Sequence, residues 1–326
     1  MNIHSPGAAR AQAAGPGPLL KVSAPHLTSD LDLTAEELTS LLDWTARVKR
    51  TPRAFAHKLT GRSLALLFEK PSLRTRMTFE LAIRQLGGDS VFSEYNGQGI
   101  GDREPLRDVA RNLERWVSAI VARTHQQQTI DELARWASIP VINALSDLYH
   151  PCQALADFFT LRERFGELRG LKLAFVGDGN NVAHSLMLGA ARLGVDMAVA
   201  TPAGYQPNPE IVATAQGLAA AGGCSLRLTG DPYQAVEGAF AVYTDVWASM
   251  GQEQEALERR RVFSAYQVNE KLMAAAFPDC VFLHCLPARR GEEVTDGVIE
   301  SPASVVFDQA ENRLHSQKAL LLMMLS

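Results

Sequence analysis

The chain contains no apolar stretch of the roughly 18 residues that a membrane-crossing helix needs, so no membrane partner is expected. Its four cysteines, Cys152, Cys224, Cys280 and Cys285, show neither CxxC nor zinc-site spacing. That argues against a disulfide framework and a metal site, and fits free thiols in a reducing, cytoplasmic compartment. Basic runs are missing too. With 32 Lys and Arg against 36 Asp and Glu, the formal charge is −4, which argues against a general nucleic-acid binder. An anion site in such a chain has to be a local gathering of arginines. Residues 1–20 lack acidic side chains and an apolar core, so residues 1–25 are expected to form a loosely attached tail rather than a targeting signal.

What is present is an ordinary globular balance, 46% hydrophobic and 21% charged over 326 residues, enough for two domains with substantial cores. The most informative stretch is Leu64–Glu80. Leu64 to Phe68 reads as a buried strand. Pro71 follows a charged turn, and Ser72 is a natural helix N-cap ahead of apolar residues at Met77, Leu81 and Leu86. Arg74 and Arg76 fall in the opening turn of that helix, where the backbone already carries partial positive charge. Cations there, beside the hydroxyls of Ser72 and Thr75 and unpaired N–H groups, make a socket for an anion, most simply phosphate.

Leu31–Val48 contains an amphipathic helix opened by Thr34, with Glu37 completing a capping box. Beyond the socket, Ser90–Phe92 is a short strand, and Gly97, Gly99 and Gly101 suit the following loop to closing over a ligand. Helices are expected at Arg107–Val117 and Ile130–Ala137, and strands at Ala119–Val121 and Val141–Asn143. Arg123 lies just past the first of these strands, where open α/β sheets bind ligands, and is a second candidate anion ligand. Pro151 suits the first turn of a helix reaching about Phe165, which puts His150 and Gln153 at its start as hydrogen-bond donors.

Gly166 ends that helix, and Gly170 opens a fresh α/β pattern. The strand Leu171–Val176 runs into a glycine turn that lacks the third glycine of a dinucleotide site. No acidic residue follows the next strand, Met197–Ala200, so no nucleotide cofactor is expected. The turn still offers Asn180 and Asn181 to a carboxylate or amide. Strands at Ser225–Leu228, Ala241–Tyr243 and Cys280–His284 alternate with helices at Asn208–Ala221, from Asp231, and around Asn269–Ala276. Asp245 follows one strand as a carboxylate able to hold an ammonium group, and His284 and Cys285 end another. From Val305 the chain reads as a strand and then an amphipathic helix, with Arg313 near the helix start. These placements together predict a two-domain α/β enzyme binding a small phosphorylated substrate in an interdomain cleft, with a second substrate held by the later half.

Four motifs sharpen this. SLRTR at Ser72–Arg76, HPCQ at His150–Gln153, DVWASMG at Asp245–Gly251 and HCLP at His284–Pro287 resemble those of the ornithine carbamoyltransferase family, in that family's order. The likeness covers about residues 30–326. SxRTR is shared with aspartate carbamoyltransferases, whereas the second pair points to ornithine. Leu73 stands where the family usually has Thr, at a position whose backbone N–H can serve.

The resemblance implies carbamoyl transfer from carbamoyl phosphate to the δ-amine of ornithine, without cofactor or metal. It implies two domains, each a mainly parallel sheet flanked by helices: residues 26–150 for carbamoyl phosphate and 151–310 for ornithine. A C-terminal helix of about 311–326 would pack back on the first, and the assembly would be a homotrimer. On the matching positions, Ser72, Leu73, Arg74 and Thr75 would bind the phosphate. Arg123, His150 and Gln153 would address the carbamoyl end, with Arg313 adding positive charge. Asn181, Asp245, Ser249 and Met250 would hold ornithine, and Cys285 would lie beside the reacting amine with the Leu286 backbone. Arg74, Arg123, His150 and Cys285 make the expected catalytic set. Arg289 and Arg290 leave open a relative acting on N-acetylornithine or putrescine, and a non-catalytic relative retaining the fold is a further alternative.

Overall fold

The structure is a computed structural model that describes residues 19–95, 98–248 and 255–326. Short aliphatic runs form nine strands among these residues. They are β1 (Ser63–Phe68), β2 (Asp89–Glu94), β3 (Ala119–Arg123), β4 (Val141–Leu145), β5 (Lys172–Val176), β6 (Asp196–Ala200), β7 (Leu226–Thr229), β8 (Ala241–Thr244) and β9 (Val281–His284). Every pairing is parallel, in two sheets ordered β2-β1-β3-β4 and β7-β6-β5-β8-β9. Helices cover both faces, which is why central strands such as β1 and β3 read as continuous apolar runs rather than alternating ones. Alternate residues of β1 serve different cores: Leu64, Leu66 and Phe68 pack with Phe79 and Ile83, while Ala65 and Leu67 pack with Ile120 and Ile130. The fold is the expected two-sheet α/β arrangement.

This topology decides where a site can form. The first sheet reverses its winding between β1 and β3, the second between β5 and β8. At such switch points the loops leaving the strand C-termini part and open a crevice. Ser72–Thr75 and Arg123 follow one reversal; Asn180, Asn181 and Asp245 follow the other.

Several elements differ from expectation. The run from Val305 is not a strand. Ala303 and Val305 exchange main-chain hydrogen bonds with Phe282, and a helix then starts at Val306 and runs to Leu325. Val306 is buried and Phe307 exposed, a split that a helix start satisfies as well as a strand would. Arg313 therefore lies about two turns inside the helix, outside the reach of its N-terminal dipole. Ala319–Met323 and Leu325 complete the core that holds Leu64 and Phe79. The helix around Asn269–Ala276 shrinks to Glu270–Met273, and Ala256–Phe263 forms a helix that its charged sequence did not announce. Gly97 lies outside the described residues. The loop beyond it is tied down, with Asp102 accepting from the Gly99 N–H and buried Glu69 from the Ile100 N–H.

Attachment of the N-terminal segment begins before residue 26. The Val22 N–H donates to the Met323 carbonyl (3.3 Å) and that of Ser23 to Glu37 Oε1 (2.6 Å). Leu27 then adds a bridge beside β4, and buried Asp30 accepts a hydrogen bond from the Ser185 hydroxyl of the second sheet's first helix, Asn181–Leu193. Burial pushes the Asp30 carboxyl up to about 7 from its ordinary 3.8, against the Ser185 hydrogen bond. A carboxyl raised on folding binds its proton more tightly in the native state, so its contribution to stability falls as pH rises from about 4 to about 7. Asp30→Asn should therefore gain in melting temperature relative to wild type as pH is raised from about 5 to about 8. A gap constant across that range would contradict the burial argument.

Candidate active site

The phosphate-type corner is built on the helix Leu73–Gln85. The Ser72 hydroxyl caps it by accepting from the Thr75 N–H (3.2 Å), which leaves the N–H groups of Leu73 and Arg74 without intrahelical acceptors. Thr75 is buried and its hydroxyl accepts from Arg313 Nη2 at 3.1 Å. Arg76 turns away: its Nε meets Glu80 at 2.9 Å and its guanidinium lies 3.7 Å from the Phe92 ring centre, so it is no part of the socket. Arg123 ends β3 at a register shift against β4, a local irregularity of the kind that re-aims a side chain.

Arg74, Arg123 and Arg313 thus converge, and among the described residues none of them forms a salt bridge. Burial depresses all three; for Arg123, burial together with the Arg313 and Arg74 cations brings the value down to about 10, still protonated at neutral pH. His150 is buried beside them, and burial with the two neighbouring cations holds it well below its ordinary value, so the imidazole is neutral. Its N–H on the main chain is fixed by the Ser185 hydroxyl (2.9 Å). Among the described residues, Arg123 Nε, Arg313 Nε and His150 Nδ1 are buried without hydrogen-bond partners.

The opposite wall has the other polarity. Asn180 caps the Asn181–Leu193 helix and donates from Nδ2 to Asp245 Oδ2 (2.8 Å). The Cys285 thiol donates to Asp245 Oδ1 at 3.0 Å. Burial, reinforced by Asp245, drives that thiol well above its ordinary range, so Cys285 is a neutral donor rather than a thiolate. Asn181 reaches across to the first sheet's end, donating to the Ser146 carbonyl (2.6 Å).

Cys285 is itself held by its neighbours. Leu286 adopts φ = 57°, a left-handed backbone rarely taken by a side-chain-bearing residue. The Leu286 N–H donates to His284 Nδ1 (2.8 Å), which fixes the tautomer, so that Nε2–H faces buried Glu293 at 3.1 Å. Asp245, His284 and Cys285 bring potential metal-ligand atoms within 4.8 Å of one another. Both ring nitrogens of His284 are already engaged, so a metal there would have to break that support.

One cavity of about 680 Å³ joins the two walls. Ser72, Leu73, Arg74, Thr75, Arg123 and His150 line it from the first sheet's side, with Arg313 from the last helix. Asn181, Asp245, Cys285 and Leu286 line it from the second. Gln153 does not: it is buried behind Arg313, whose Nη1 donates to its Oε1 (2.6 Å). Ser249 and Met250 lie outside the described residues. Of the paired arginines after HCLPA, Arg289 lines the cavity while Arg290 binds Asp296 and Glu300 outside it.

Residues 25–163 match the carbamoyl-P binding domain of the aspartate/ornithine carbamoyltransferases, and residues 169–324 match their Asp/Orn binding domain. The chain belongs to that family. The ornithine carbamoyltransferase of Acidothermus cellulolyticus is 53% identical over 91% of this chain and 95% of its own length. The anabolic ornithine carbamoyltransferase of Pyrococcus furiosus is 51% identical over 89% of this chain and 93% of its own. The solved ornithine carbamoyltransferase from Pyrococcus furiosus superposes with a TM-score of 0.90 at 48% identity, covering 94% of this chain and 98% of that one.

Arg259 and Asp178 are among the cavity residues that escaped the sequence reading of this family member. Arg259, on the Ala256–Phe263 helix, donates from Nη1 to Asp178 Oδ2 (2.9 Å) and to the Trp247 carbonyl (2.8 Å), with its guanidinium over Tyr205. Burial raises Asp178 to about 6 despite that cation. A run of three arginines in a helix reads as a solvated face, and the partner is 81 residues away. Removing one member of a buried pair strands the other, at a cost of about 3–5 kcal/mol. Arg259→Gln should lose stability on that scale in urea unfolding, whereas Arg260→Gln, whose Glu292 partner is surface-exposed in comparison, should lose less than about 1 kcal/mol.

Proposed function

We propose that this chain transfers the carbamoyl group of carbamoyl phosphate to the δ-amine of L-ornithine, releasing L-citrulline and phosphate. The observation that carries this is the polarity of one cavity: three arginines with no salt-bridge partner among the described residues on one wall, and Asp245 with Cys285 on the other. The first wall suits a phosphorylated donor, the second an ammonium-bearing acceptor. Ornithine carbamoyltransferases are also the relatives this chain resembles over most of its length.

In this reading the neutral δ-amine attacks the carbamoyl carbon, an N–C bond forms, the C–O bond to phosphate breaks, and the amine nitrogen gives up one proton. Negative charge grows first on the carbamoyl oxygen and then on the departing phosphate. Arg74, Arg123, Thr75 and neutral His150 are the donors on that wall, with Arg313 supporting Thr75. Asp245 is the acceptor nearest the amine. Cys285, kept as a thiol, orients Asp245 and excludes a competing nucleophile. Gln153 acts from behind the wall. Ser249 and Met250 keep the ornithine-side roles that the motif resemblance implies.

The family's homotrimer is part of the same proposal. Support comes from the first sheet's edge: β2 has no outer neighbour, Val91 on it is 67% exposed, and Leu73 on the adjacent helix is 74% exposed. Met77, one turn after Leu73, is a third exposed apolar group there, and light scattering at three chain masses is the expected result. The four unpaired thiols support a cytoplasmic setting.

Turnover should be measured with carbamoyl phosphate and ornithine, N-acetylornithine, putrescine or aspartate as separate acceptors. Citrulline from ornithine alone is expected, and Arg74→Ala should lower kcat by about 10²–10³; turnover only with another acceptor would overturn the ornithine half. A free alkylamine has a pKa near 10. His150 titrates below neutrality and Cys285 above it, so kcat/KM for ornithine should climb about tenfold per pH unit from about 6 to 8, following the neutral amine. A flat profile would show that the amine is not taken up neutral.

A further inference from the structure

Behind the arginine wall lies a carboxyl group that the reaction never meets. Asp157 is on the Pro151–Phe165 helix, one turn beyond Gln153, and is fully buried. Its Oδ1 accepts from two amides at once, Gln153 Nε2 and Gln309 Nε2, each at 2.7 Å. Gln309 comes from the last helix, and its Nε2 also approaches the Tyr243 hydroxyl of β8 at 3.1 Å.

Each amide then turns its oxygen toward a different wall of the cleft. Gln153 Oε1 accepts from Arg313 Nη1 (2.6 Å), and Arg313 in turn grips Thr75. Gln309 Oε1 accepts from the His284 main-chain N–H (3.0 Å), immediately before Cys285. A glutamine amide is nearly symmetric in shape but opposite in polarity at its two ends. Flipped, Gln153 would press an NH₂ against a guanidinium, and Gln309 would press one against an N–H. Those donors fix the oxygen end of each amide, an acceptor must complete the nitrogen end, and Asp157 Oδ1 is that shared acceptor.

We infer that Asp157 is a positioning residue for carbamoyl transfer, aiming Arg313 through Gln153 and seating the His284–Cys285 main chain through Gln309. One buried oxygen thereby sets the geometry of both substrate walls. The inference rests on the assignment of Arg313 to the phosphorylated substrate and Cys285 to the acceptor. Burial raises the Asp157 carboxyl to about 7, with the two glutamines, Tyr243 and Arg313 pulling it back. Among the described residues its Oδ2 has no hydrogen-bond partner, so a proton there leaves the Oδ1 acceptor intact. An asparagine can likewise keep its oxygen toward the glutamines.

The test compares full-length wild type, Asp157→Ala, Asp157→Asn, Gln309→Leu and Arg313→Gln. Circular dichroism checks folding, kcat and both KM values are measured, and calorimetry gives the Kd of inorganic phosphate. Loss of a supporting shell typically costs tenfold or more in affinity or rate. Asp157→Ala should raise the phosphate Kd and the ornithine KM by about tenfold each, and Asp157→Asn should restore both to within about threefold. Gln309→Leu should raise the ornithine KM while sparing the phosphate Kd. A folded Asp157→Ala with wild-type constants, or Asp157→Asn as impaired as Asp157→Ala, overturns the inference. Should Asp157→Ala not fold, Asp157→Asn and Gln309→Leu decide together: an impaired Asp157→Asn or an unchanged ornithine KM in Gln309→Leu overturns it, and near-normal constants in the first with a raised KM in the second support it. If Arg313→Gln leaves the phosphate Kd unchanged, it is the substrate assignment that fails.

Discussion

Three guanidinium groups share a corner in which, among the described residues, none of them has a salt-bridge partner, and much of the molecule serves to keep them there. Left to themselves they would separate or seek water, since both desolvation and mutual repulsion disfavour the charged forms. Each is therefore anchored on a different rigid element: Arg74 on a helix start, Arg123 at a strand end, Arg313 inside the last helix. Parallel sheets covered on both faces supply that rigidity. The free energy for holding the charges together comes from the aliphatic cores, which lie on either side of β1.

The second wall solves the reverse problem with fewer charges. Asp245 is held by Asn180 and Cys285 rather than by a cation, which keeps its negative charge available. His284 supports the Leu286 main chain and Glu293 holds His284 and the Arg289 N–H. Arg259 and Asp178 neutralise one another at the margin of the same wall. Strongly polar groups in this cleft thus fall into two kinds, those left open to a ligand and those satisfied internally. Only the first kind can do chemistry.

What was legible in the sequence was local. Ser72, Arg74, Arg123, His150 and Asp245 each sit at a strand end or a helix start, and a short window reveals that position without knowledge of the fold. Arg313 was picked out for a mistaken reason. It is not at a helix start, because the apolar run from Val305 is compatible with either secondary structure and the helix absorbs most of it. Gln153 was placed correctly on its helix, but its burial behind Arg313 depends on a residue 160 positions away. Asp157, Gln309, Asp178 and Arg259 were silent for the same reason: their meaning lies in partners far along the chain. Patterns with period 2 or 3.6 report which face is buried, never which distant group waits there.

The helix Val306–Leu325 follows both sheets in the chain, yet its apolar residues fill the core beneath β1 and its polar ones furnish the wall of the cleft. On the ribosome the segments that surround β1 emerge first and wait for it. The strands of the second sheet all come after those of the first and before this helix. The core beneath β1 is therefore closed by the last residues to be made, and the first sheet and the end of the chain stand or fall together.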